Sequence, residues 1–302
     1  EMRTSSPVES VVSFLAHPSS SSRRMNPMIS ALVLLLLNEP RIEADVTYAT
    51  VAGTELKLDL YHPPADAPKT NAAVVVIHGG AWMSGDRKQM KDLSIQLAKR
   101  GMLAASVQYR LAPKSVWPAM LDDVQTATRY LRANAAKLGF DPNRLGAAGA
   151  SAGGHLAIFL GSRETRDAKP AHFADQSSRV YAVLNLFGPT DMSRDFPANL
   201  DVMFQLVLGK PRAQAAEEIR DASPINFIDK NSAPMFIYQG LADPLVNPNQ
   251  SRYLEAKLKE VAVPVQAVYL KDVQHNVPMT NPKVRETMEQ GIEWLATHLT
   301  KR

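Results

Sequence analysis

The sequence has 302 residues, of which 45% are hydrophobic, so one α/β domain with added segments can bury a substantial core. Its 34 basic and 30 acidic residues are spread along the chain and leave a net charge of +4, a balance that gives no support to nucleic-acid binding. The absence of cysteine excludes disulfides, a thiolate nucleophile and zinc–thiolate sites, and no apolar run reaches the roughly 18 residues that a membrane span needs.

Residues 1–44 form an N-terminal segment that differs in composition from the rest of the chain. Arg23-Arg24 precedes an apolar stretch from Met28 to Leu37, an order that resembles the basic and apolar regions of a signal peptide. No A-x-A cleavage site follows, so we favour a cap helix that packs on the domain, with Pro27 in its first turn. A targeting remnant is the alternative, which leaves export open beside the favoured cytoplasmic location.

Residues 45–302 are predicted to form the main domain. Its first two strands, Val46–Thr50 and Glu55–Tyr61, alternate apolar and polar residues around Gly53-Thr54, which predicts an antiparallel hairpin. Short apolar runs then alternate with longer runs of helical periodicity, which predicts a parallel sheet covered by helices. In chain order, these predicted elements are strand Ala73–Ile77, helix Lys88–Arg100, strand Leu103–Gln108, helix Pro118–Leu138, strand Leu145–Ala148 and helix Ser151–Leu160.

The second half of the chain continues this alternation after one interruption. Three more buried strands are predicted at Val180–Phe187, Met235–Gln239 and Val265–Leu270, with helices Asn249–Glu260 and Val284–Leu299 after the last two. The alternation breaks at about 188–232, where apolar residues lie among prolines and charges: Met192, Phe196, Met203, Phe204 and Leu206. We interpret this stretch as a cap insertion over the carboxyl ends of the strands, where ligands bind in such sheets. Met203 and Phe204, together with Trp82, are expected to line a substrate pocket there.

Gly149-Ala150-Ser151-Ala152-Gly153 is a G-x-S-x-G sequence between a predicted strand and a predicted helix. In that context the serine occupies a sharp, strained turn that raises its hydroxyl above the sheet, and larger neighbours would clash with the crossing helix. The pattern alone is weak because its residues are common, and a helix-opening loop is the alternative interpretation. Its position at the end of a strand makes Ser151 a candidate nucleophile.

Two later residues complete the chain order Ser, Asp, His. Asp243 and His275 each follow one of the last two predicted strands within a few residues, so three loops at one sheet edge can bring them to Ser151. A serine hydroxyl needs a base to accept its proton, and a histidine serves well when a carboxylate fixes its tautomer. Asp272 is a rival acid because it lies near His275, but its loop would have to fold back on itself. We therefore prefer Asp243.

The segment His78-Gly79-Gly80-Ala81-Trp82 follows the predicted strand Ala73–Ile77. Its glycines allow backbone N–H groups to turn toward a developing oxyanion, and the N–H of Ala152 would complete the set of donors. A simple strand-ending turn is the alternative. We interpret His78 as a buried structural histidine, and His155, one helical turn beyond Ser151, in the same way.

With these motifs, residues 45–299 resemble the hormone-sensitive-lipase-like and BD-FAE-like carboxylesterases of the α/β-hydrolase fold. The similar stretches are the H-G-G-x-W loop His78–Trp82, the Y-R-L-A-P segment in Gln108–Pro113, the elbow region Asp141–Gly154, the acid loop Leu241–Val246 and the base His275. The resemblance implies an eight-stranded, mostly parallel sheet flanked by helices with a small cap, and hydrolysis through an acyl-enzyme. It also implies oxyanion donors at Gly80, Ala81 and Ala152.

The resemblance leaves the substrate class open, because Ala81 replaces the third glycine of the lipase-like H-G-G-G form and H-G-G-x-W enzymes include arylformamidases. The expected function is a serine carboxylesterase for short to medium acyl esters, with Ser151 as nucleophile, His275 as base and acid, and Asp243 as orienting carboxylate. A small-amide hydrolase such as an arylformamidase and a non-catalytic receptor of the same fold are the alternatives. This chemistry needs no metal or cofactor, its partner is a small-molecule ester, and the oligomeric state stays open.

Overall fold

The computed structural model describes residues 39–167 and 172–301. The predicted hairpin is formed by Arg41–Val51 (β1) and Thr54–His62 (β2), which pair antiparallel across a turn at Ala52 and Gly53. Strand β1 begins at Arg41, so the expected boundary between residues 44 and 45 falls within this strand. The predicted cap helix of the N-terminal segment lies outside the described residues.

Strands and helices alternate through the rest of the domain, as predicted. The further strands are Ala72–Ile77 (β3), Met102–Val107 (β4), Leu145–Ala150 (β5), Val183–Leu186 (β6), Met235–Gly240 (β7) and Val265–Leu270 (β8). The α-helices are Lys91–Lys99 (α1), Ala119–Ala133 (α2), Ala135–Leu138 (α3), Ala152–Ser162 (α4), Asp201–Leu208 (α5), Ala216–Asp221 (α6), Asn249–Glu260 (α7) and Pro282–Thr300 (α8). In the described part of the chain, no helix is both long and apolar enough to cross a membrane.

The eight strands form one sheet in the order β1-β2-β4-β3-β5-β6-β7-β8. Strands β1, β2 and β4 pair antiparallel, and every pairing from β4 to β8 is parallel. This is the eight-stranded mixed sheet that the family resemblance implied. The carboxyl ends of β3, β5, β7 and β8 therefore lie along the same edge, where the loops that carry the candidate site residues begin.

Helices cover both faces of the sheet, and the residues of β3 show how the core is divided. Val75 and Ile77 belong to the core on the side of α2, α4 and α7, whereas Val74 and Val76 belong to the core on the side of α1 and α8. Because both faces are covered, all six residues of β3 and all six of β4 are buried. The continuous apolar runs of the sequence are explained by this double burial.

Three predicted elements differ from the structure. The predicted helix Pro118–Leu138 is two helices, because Asn134 leaves the helical conformation and its side-chain amide donates to the carbonyl of Tyr130 at 2.8 Å. The predicted strand Val180–Phe187 is reduced to the four residues of β6. Strand β8 is not a buried strand, since it forms the edge of the sheet and all of its residues are only half-buried.

The predicted insertion between β6 and β7 contains α5, α6 and three short 3₁₀ turns. Its first residues are fixed to α7 by Gln250, whose side chain is fully buried. The Gln250 amide oxygen accepts from the N–H groups of Thr190 and Asp191 at 2.8 and 2.7 Å. Its nitrogen donates to the carbonyls of Asp191 and Arg194 at 3.0 and 2.9 Å. The insertion is thus anchored to the helix that follows the Asp243 loop.

Candidate active site

Ser151 lies on the sharp turn between β5 and α4, with φ 56° and ψ −121°. A non-glycine residue in such a sparsely populated region costs on the order of 1–3 kcal/mol and persists only when its surroundings hold it there. Here the Ser151 N–H donates to the carbonyl of Leu186 at 2.9 Å, and the Ser151 carbonyl accepts from the N–H of His155 at 3.0 Å. The turn therefore lifts the hydroxyl from the end of β5 and keeps it in place.

The glycines on either side of Ser151 are required by close backbone contacts. A Cβ atom on Gly149 would lie 2.2 Å from the carbonyl oxygen of Gly153. A Cβ on Gly153 would lie 2.1 Å from the carbonyl oxygen of Ile77, at the end of β3. Strand β3, strand β5 and helix α4 approach each other too closely here for any side chain, which is the physical reason for the small residues of the motif.

The structure brings Ser151, His275 and Asp243 into one hydrogen-bonded chain. The Nε2 atom of His275 lies 2.8 Å from the Ser151 Oγ, and its Nδ1 lies 2.6 Å from Asp243 Oδ2. A neutral histidine with its proton on Nδ1 donates to the carboxylate and accepts from the serine hydroxyl, the arrangement needed to activate that hydroxyl. The ring of Phe187 packs against the imidazole, with 4.5 Å between ring centroids.

The carboxylate of Asp243 is fully buried and receives further hydrogen bonds. Its Oδ1 accepts from the backbone N–H groups of Leu245 and Val246, both at 2.9 Å. Its Oδ2 accepts from the side-chain amide of Gln239 at 3.2 Å in addition to His275. Asp272, the rival acid, is exposed on the loop before His275, while Asp243 holds the imidazole. The geometry thus assigns the histidine contact to the preferred acid.

The H-G-G-A-W loop lies directly against the Ser151 turn, since a Cβ on Gly79 would be 3.2 Å from the Ser151 Cβ. Gly80, Ala81 and Trp82 all have positive φ, at 113°, 51° and 59°. Among the described residues, no acceptor is hydrogen-bonded to the backbone N–H groups of Gly80, Ala81 and Ala152. Ala152 is the first residue of α4, where helical N–H groups have no partner within the helix. These donors are available for an oxyanion beside Ser151.

A pocket of about 560 Å³ opens above Ser151 and His275. Neither Asp, Glu, Lys nor Arg occurs among its described lining residues, and most of the lining is apolar. Besides Ala81 and Ala150, the apolar side chains are those of Trp82, Met83, Met90, Phe187, Pro189, Phe196, Leu200, Met203, Leu245 and Val246. The insertion supplies four of them, which places it beside the candidate reacting centre: Pro189, Phe196, Leu200 and Met203.

Two of the three predicted pocket residues, Trp82 and Met203, line the pocket, and Phe204 does not. Phe204 is fully buried behind Phe196, with 5.0 Å between the ring centroids, and the guanidinium of Arg212 lies 4.6 Å above its ring. Neighbours on a helix point in different directions, so Met203 faces the pocket and Phe204 faces the core. Among the described lining residues, the insertion supplies the aromatic ring of Phe196, which sequence patterning identified only as part of the insertion.

Both histidines interpreted as structural are buried and hydrogen-bonded. His78 stacks on Tyr109 with 4.3 Å between ring centroids, and its Nδ1 bonds to the carbonyl of Gly79 at 2.7 Å. His155 lies between Trp82 and the carbonyl of Ala222. Burial lowers the pKa of His78, and it lowers the pKa of His155 to about 4. Neither imidazole contacts the Ser151 hydroxyl, which is bonded to His275.

Comparison with known proteins finds similarity to one family model and to several ester hydrolases. A model of the BD-FAE family matches residues 58–258, which is most of the described chain. The esterase LipC of Mycobacterium tuberculosis is 33% identical over 204 residues, covering 65% of this chain and 51% of that protein. The chain thus spans about half the length of this curated relative.

Two other similar proteins align with this chain over almost their whole length. The ethyl acetate hydrolase of Pseudomonas putida is 28% identical over 297 residues, or 92% of this chain and 90% of that protein. A propionate-bound structure of a thermophilic esterase from Thermogutta terrifontis superposes with a TM-score of 0.73 and 26% identity, covering 86% of this chain and 95% of the other. The fold is therefore that of the α/β-hydrolases.

Proposed function

The chain belongs to the BD-FAE family of α/β-hydrolases, and on this basis we propose that it is a serine carboxylesterase that hydrolyses short to medium acyl esters. The observation that carries the proposal is the hydrogen-bonded chain from Asp243 through His275 to the Ser151 hydroxyl, at the floor of a pocket whose described lining contains no Asp, Glu, Lys or Arg. Its relatives and structural neighbours described as esterases support the same reaction class.

In the acylation step, the Ser151 Oγ attacks the carbonyl carbon of the ester while His275 Nε2 takes the hydroxyl proton. The negative charge that develops on the carbonyl oxygen is received by the N–H groups of Gly80, Ala81 and Ala152, and such preorganised donors contribute several kcal/mol to acyl transfer. The imidazolium formed on His275 is stabilised by the buried Asp243 carboxylate. Cleavage of the bond to the alcohol oxygen then releases the alcohol, which takes the proton from Nε2.

In the deacylation step, a water molecule attacks the acyl carbon of the Ser151 ester. His275 again accepts a proton, now from the water, and returns it to Ser151 Oγ as the acyl–oxygen bond breaks. The acid leaves and the enzyme regains its starting state. Every proton passes through His275 Nε2, so the Nδ1 proton held by Asp243 must stay in place through both steps.

The pocket supports an uncharged substrate of moderate size. Each methylene group buried from water contributes roughly 0.8 kcal/mol, so the apolar lining favours an alkyl acyl chain over a bare formyl group. A substrate with a free carboxylate or ammonium would find no opposite charge among the described lining residues and would lose its hydration without compensation. Esters are therefore favoured over N-formylkynurenine, the charged substrate of the arylformamidase alternative.

The test is a panel of p-nitrophenyl esters from acetate to octanoate, assayed beside N-formylkynurenine with the wild-type protein and with Ser151→Ala. We expect kcat/KM for esters to exceed that for the formamide and to fall by about 10⁴-fold or more in Ser151→Ala. Thermal unfolding should show that the variant is folded. Ester hydrolysis that survives the substitution, or a preference for the formamide, would contradict the proposal.

A further inference from the structure

His155 makes two specific hydrogen bonds in the core although it belongs neither to the hydrogen-bonded chain at Ser151 nor to the pocket lining. The indole N–H of Trp82 donates to its Nδ1 at 3.2 Å, and its Nε2 bonds to the carbonyl of Ala222 at 2.7 Å. Since one ring nitrogen accepts and the other must donate, the imidazole is neutral with its proton on Nε2. The pKa of about 4 that burial gives it keeps it in this form at neutral pH.

The first bond fixes the loop that carries the candidate oxyanion donors. Ala81 and Trp82 are consecutive non-glycine residues with positive φ, a conformation that other contacts must hold. The Trp82 backbone is held by its carbonyl, which accepts from the N–H of Ala112 at 2.9 Å. The Trp82 side chain is held by His155. A shift of the indole would therefore disturb the backbone next to Ala81, whose N–H is a candidate oxyanion donor.

The second bond fixes the insertion to the same imidazole. Ala222 directly follows α6, and the preceding Asp221 accepts from the indole of Trp117 at 2.9 Å and from Arg163 at 2.8 Å. The imidazole lies within this aromatic cluster, with ring centroids of Trp117 and Phe159 at 5.6 and 5.1 Å. One side chain on α4 therefore contacts both the oxyanion loop and the insertion that forms a pocket wall.

We propose that His155 is a positioning residue for the reaction: its Nδ1 sets the oxyanion loop through the Trp82 indole, and its Nε2–H sets the insertion through Ala222. The inference rests on the proposed function, because it assumes that the loop stabilises an oxyanion. It goes beyond a structural role for this histidine, since each ring nitrogen is assigned a separate effect on catalysis. Loss of the Nδ1 acceptor should lower kcat, and loss of the Nε2 donor should change KM.

Two substitutions separate the ring nitrogens. The side-chain amide of asparagine ends at the distance of Nδ1 from the backbone, so His155→Asn retains an acceptor for Trp82 and loses the bond to Ala222. The amide of glutamine ends at the distance of Nε2, so His155→Gln retains the bond to Ala222 and loses the acceptor. Ser151→Ala is assayed beside them, and Trp117→Phe serves as a control that removes another indole hydrogen bond of the cluster, to Asp221.

With p-nitrophenyl butyrate, we expect kcat of His155→Gln to fall roughly 10- to 100-fold with KM within about twofold, because misplacement of a catalytic donor costs up to about 100-fold. His155→Asn should restore kcat to within about threefold of the wild type and raise KM. The affinity for a trifluoromethyl ketone, whose adduct with serine carries an oxyanion, should weaken in His155→Gln in proportion to kcat/KM. Trp117→Phe should lower the melting temperature and leave kcat unchanged.

The results separate this inference from the proposed function. Activity that persists in Ser151→Ala would refute the proposed function itself. If Ser151→Ala is inactive and kcat of His155→Gln equals that of the wild type or of His155→Asn, the positioning role is refuted alone. If the His155 variants do not fold, Trp82→Phe removes the same bond from the other side, and an unchanged kcat and ketone affinity there would also overturn the inference.

Discussion

Replacing Asp243 by asparagine tests the candidate site most sharply, because the structure dictates how the new amide must lie. In the wild type, Asp243 Oδ1 accepts from the backbone N–H groups of Leu245 and Val246 at 2.9 Å. An amide nitrogen cannot accept, so the asparagine oxygen must occupy that position and its NH₂ group must replace Oδ2. The NH₂ group then faces His275 Nδ1 across the 2.6 Å contact and Gln239 Nε2 across the 3.2 Å contact.

The consequence is a histidine in the wrong tautomer. Because the new NH₂ group donates to His275 Nδ1, the imidazole proton moves to Nε2, which then cannot accept from Ser151 Oγ. The same tautomer change in a well-studied serine protease lowers kcat by about 10⁴-fold, which corresponds to roughly 5 kcal/mol of transition-state stabilisation. We expect a loss of this size in Asp243→Asn.

The assay is the steady-state hydrolysis of p-nitrophenyl acetate and butyrate at neutral pH, with circular dichroism to confirm folding. Asp272→Asn is the matched control, since it makes the same change at an exposed acid three residues before His275. This variant should retain nearly full activity. An Asp243→Asn variant with more than a tenth of the wild-type kcat would refute the reasoning, as would a larger loss in Asp272→Asn.

Three further predictions follow from burial and packing. Burial lowers the pKa of His155 from 6.5 to about 4, so the unfolded state binds more protons between these pH values and the folded state loses stability as the pH falls through that window. Urea unfolding at pH 7 and at pH 4.5 should show that the free energy of unfolding falls by roughly 2–3 kcal/mol because of this group. That part of the loss should be absent in His155→Gln. Phe204→Ala should lower the free energy of unfolding by about 3–5 kcal/mol, whereas Phe196→Ala should mainly reduce the preference for longer acyl chains in the ester panel. If both variants lost the same stability and the same chain-length preference, the assigned packing would be contradicted. Gly153→Ala should destabilise the fold by about 1–3 kcal/mol or more, because its Cβ would lie 2.1 Å from the Ile77 carbonyl oxygen; a wild-type melting temperature would show that the turn can relax.

The parts of the fold that the sequence predicted well are those controlled by local patterning. The continuous apolar runs at β3 and β4 identify strands buried on both faces, and the small residues around Ser151 identify a turn with no space for side chains. The order of Ser151, Asp243 and His275 at strand ends then indicates one site, because parallel strands present their carboxyl ends together. These features could be predicted because they follow from the local sequence pattern and do not depend on contacts between distant segments.

The parts that the sequence did not predict depend on contacts between distant segments. Whether Met203 or Phe204 faces the pocket depends on how α5 packs on the domain. The apolar pattern of the α5 sequence does not indicate which of the two side chains that is. The half-buried state of β8 follows from its position at the sheet edge, which is a property of strand order. The hydrogen bond between Trp82 and His155 joins residues 73 positions apart, and no local sequence pattern predicts it.

The first turns of α7 connect the acid of the site to the wall of the pocket through two adjacent residues. Ser251 donates its hydroxyl to the Gln239 amide oxygen at 2.8 Å, and the Gln239 nitrogen donates to the Asp243 carboxylate. Gln250, one residue earlier, holds the chain from Thr190 to Arg194, which leads directly to Phe196 in the pocket wall. Since all three side chains are fully buried, they have no water to replace a lost partner. The orientation of the His275 base and the shape of the pocket therefore depend on the same short piece of helix.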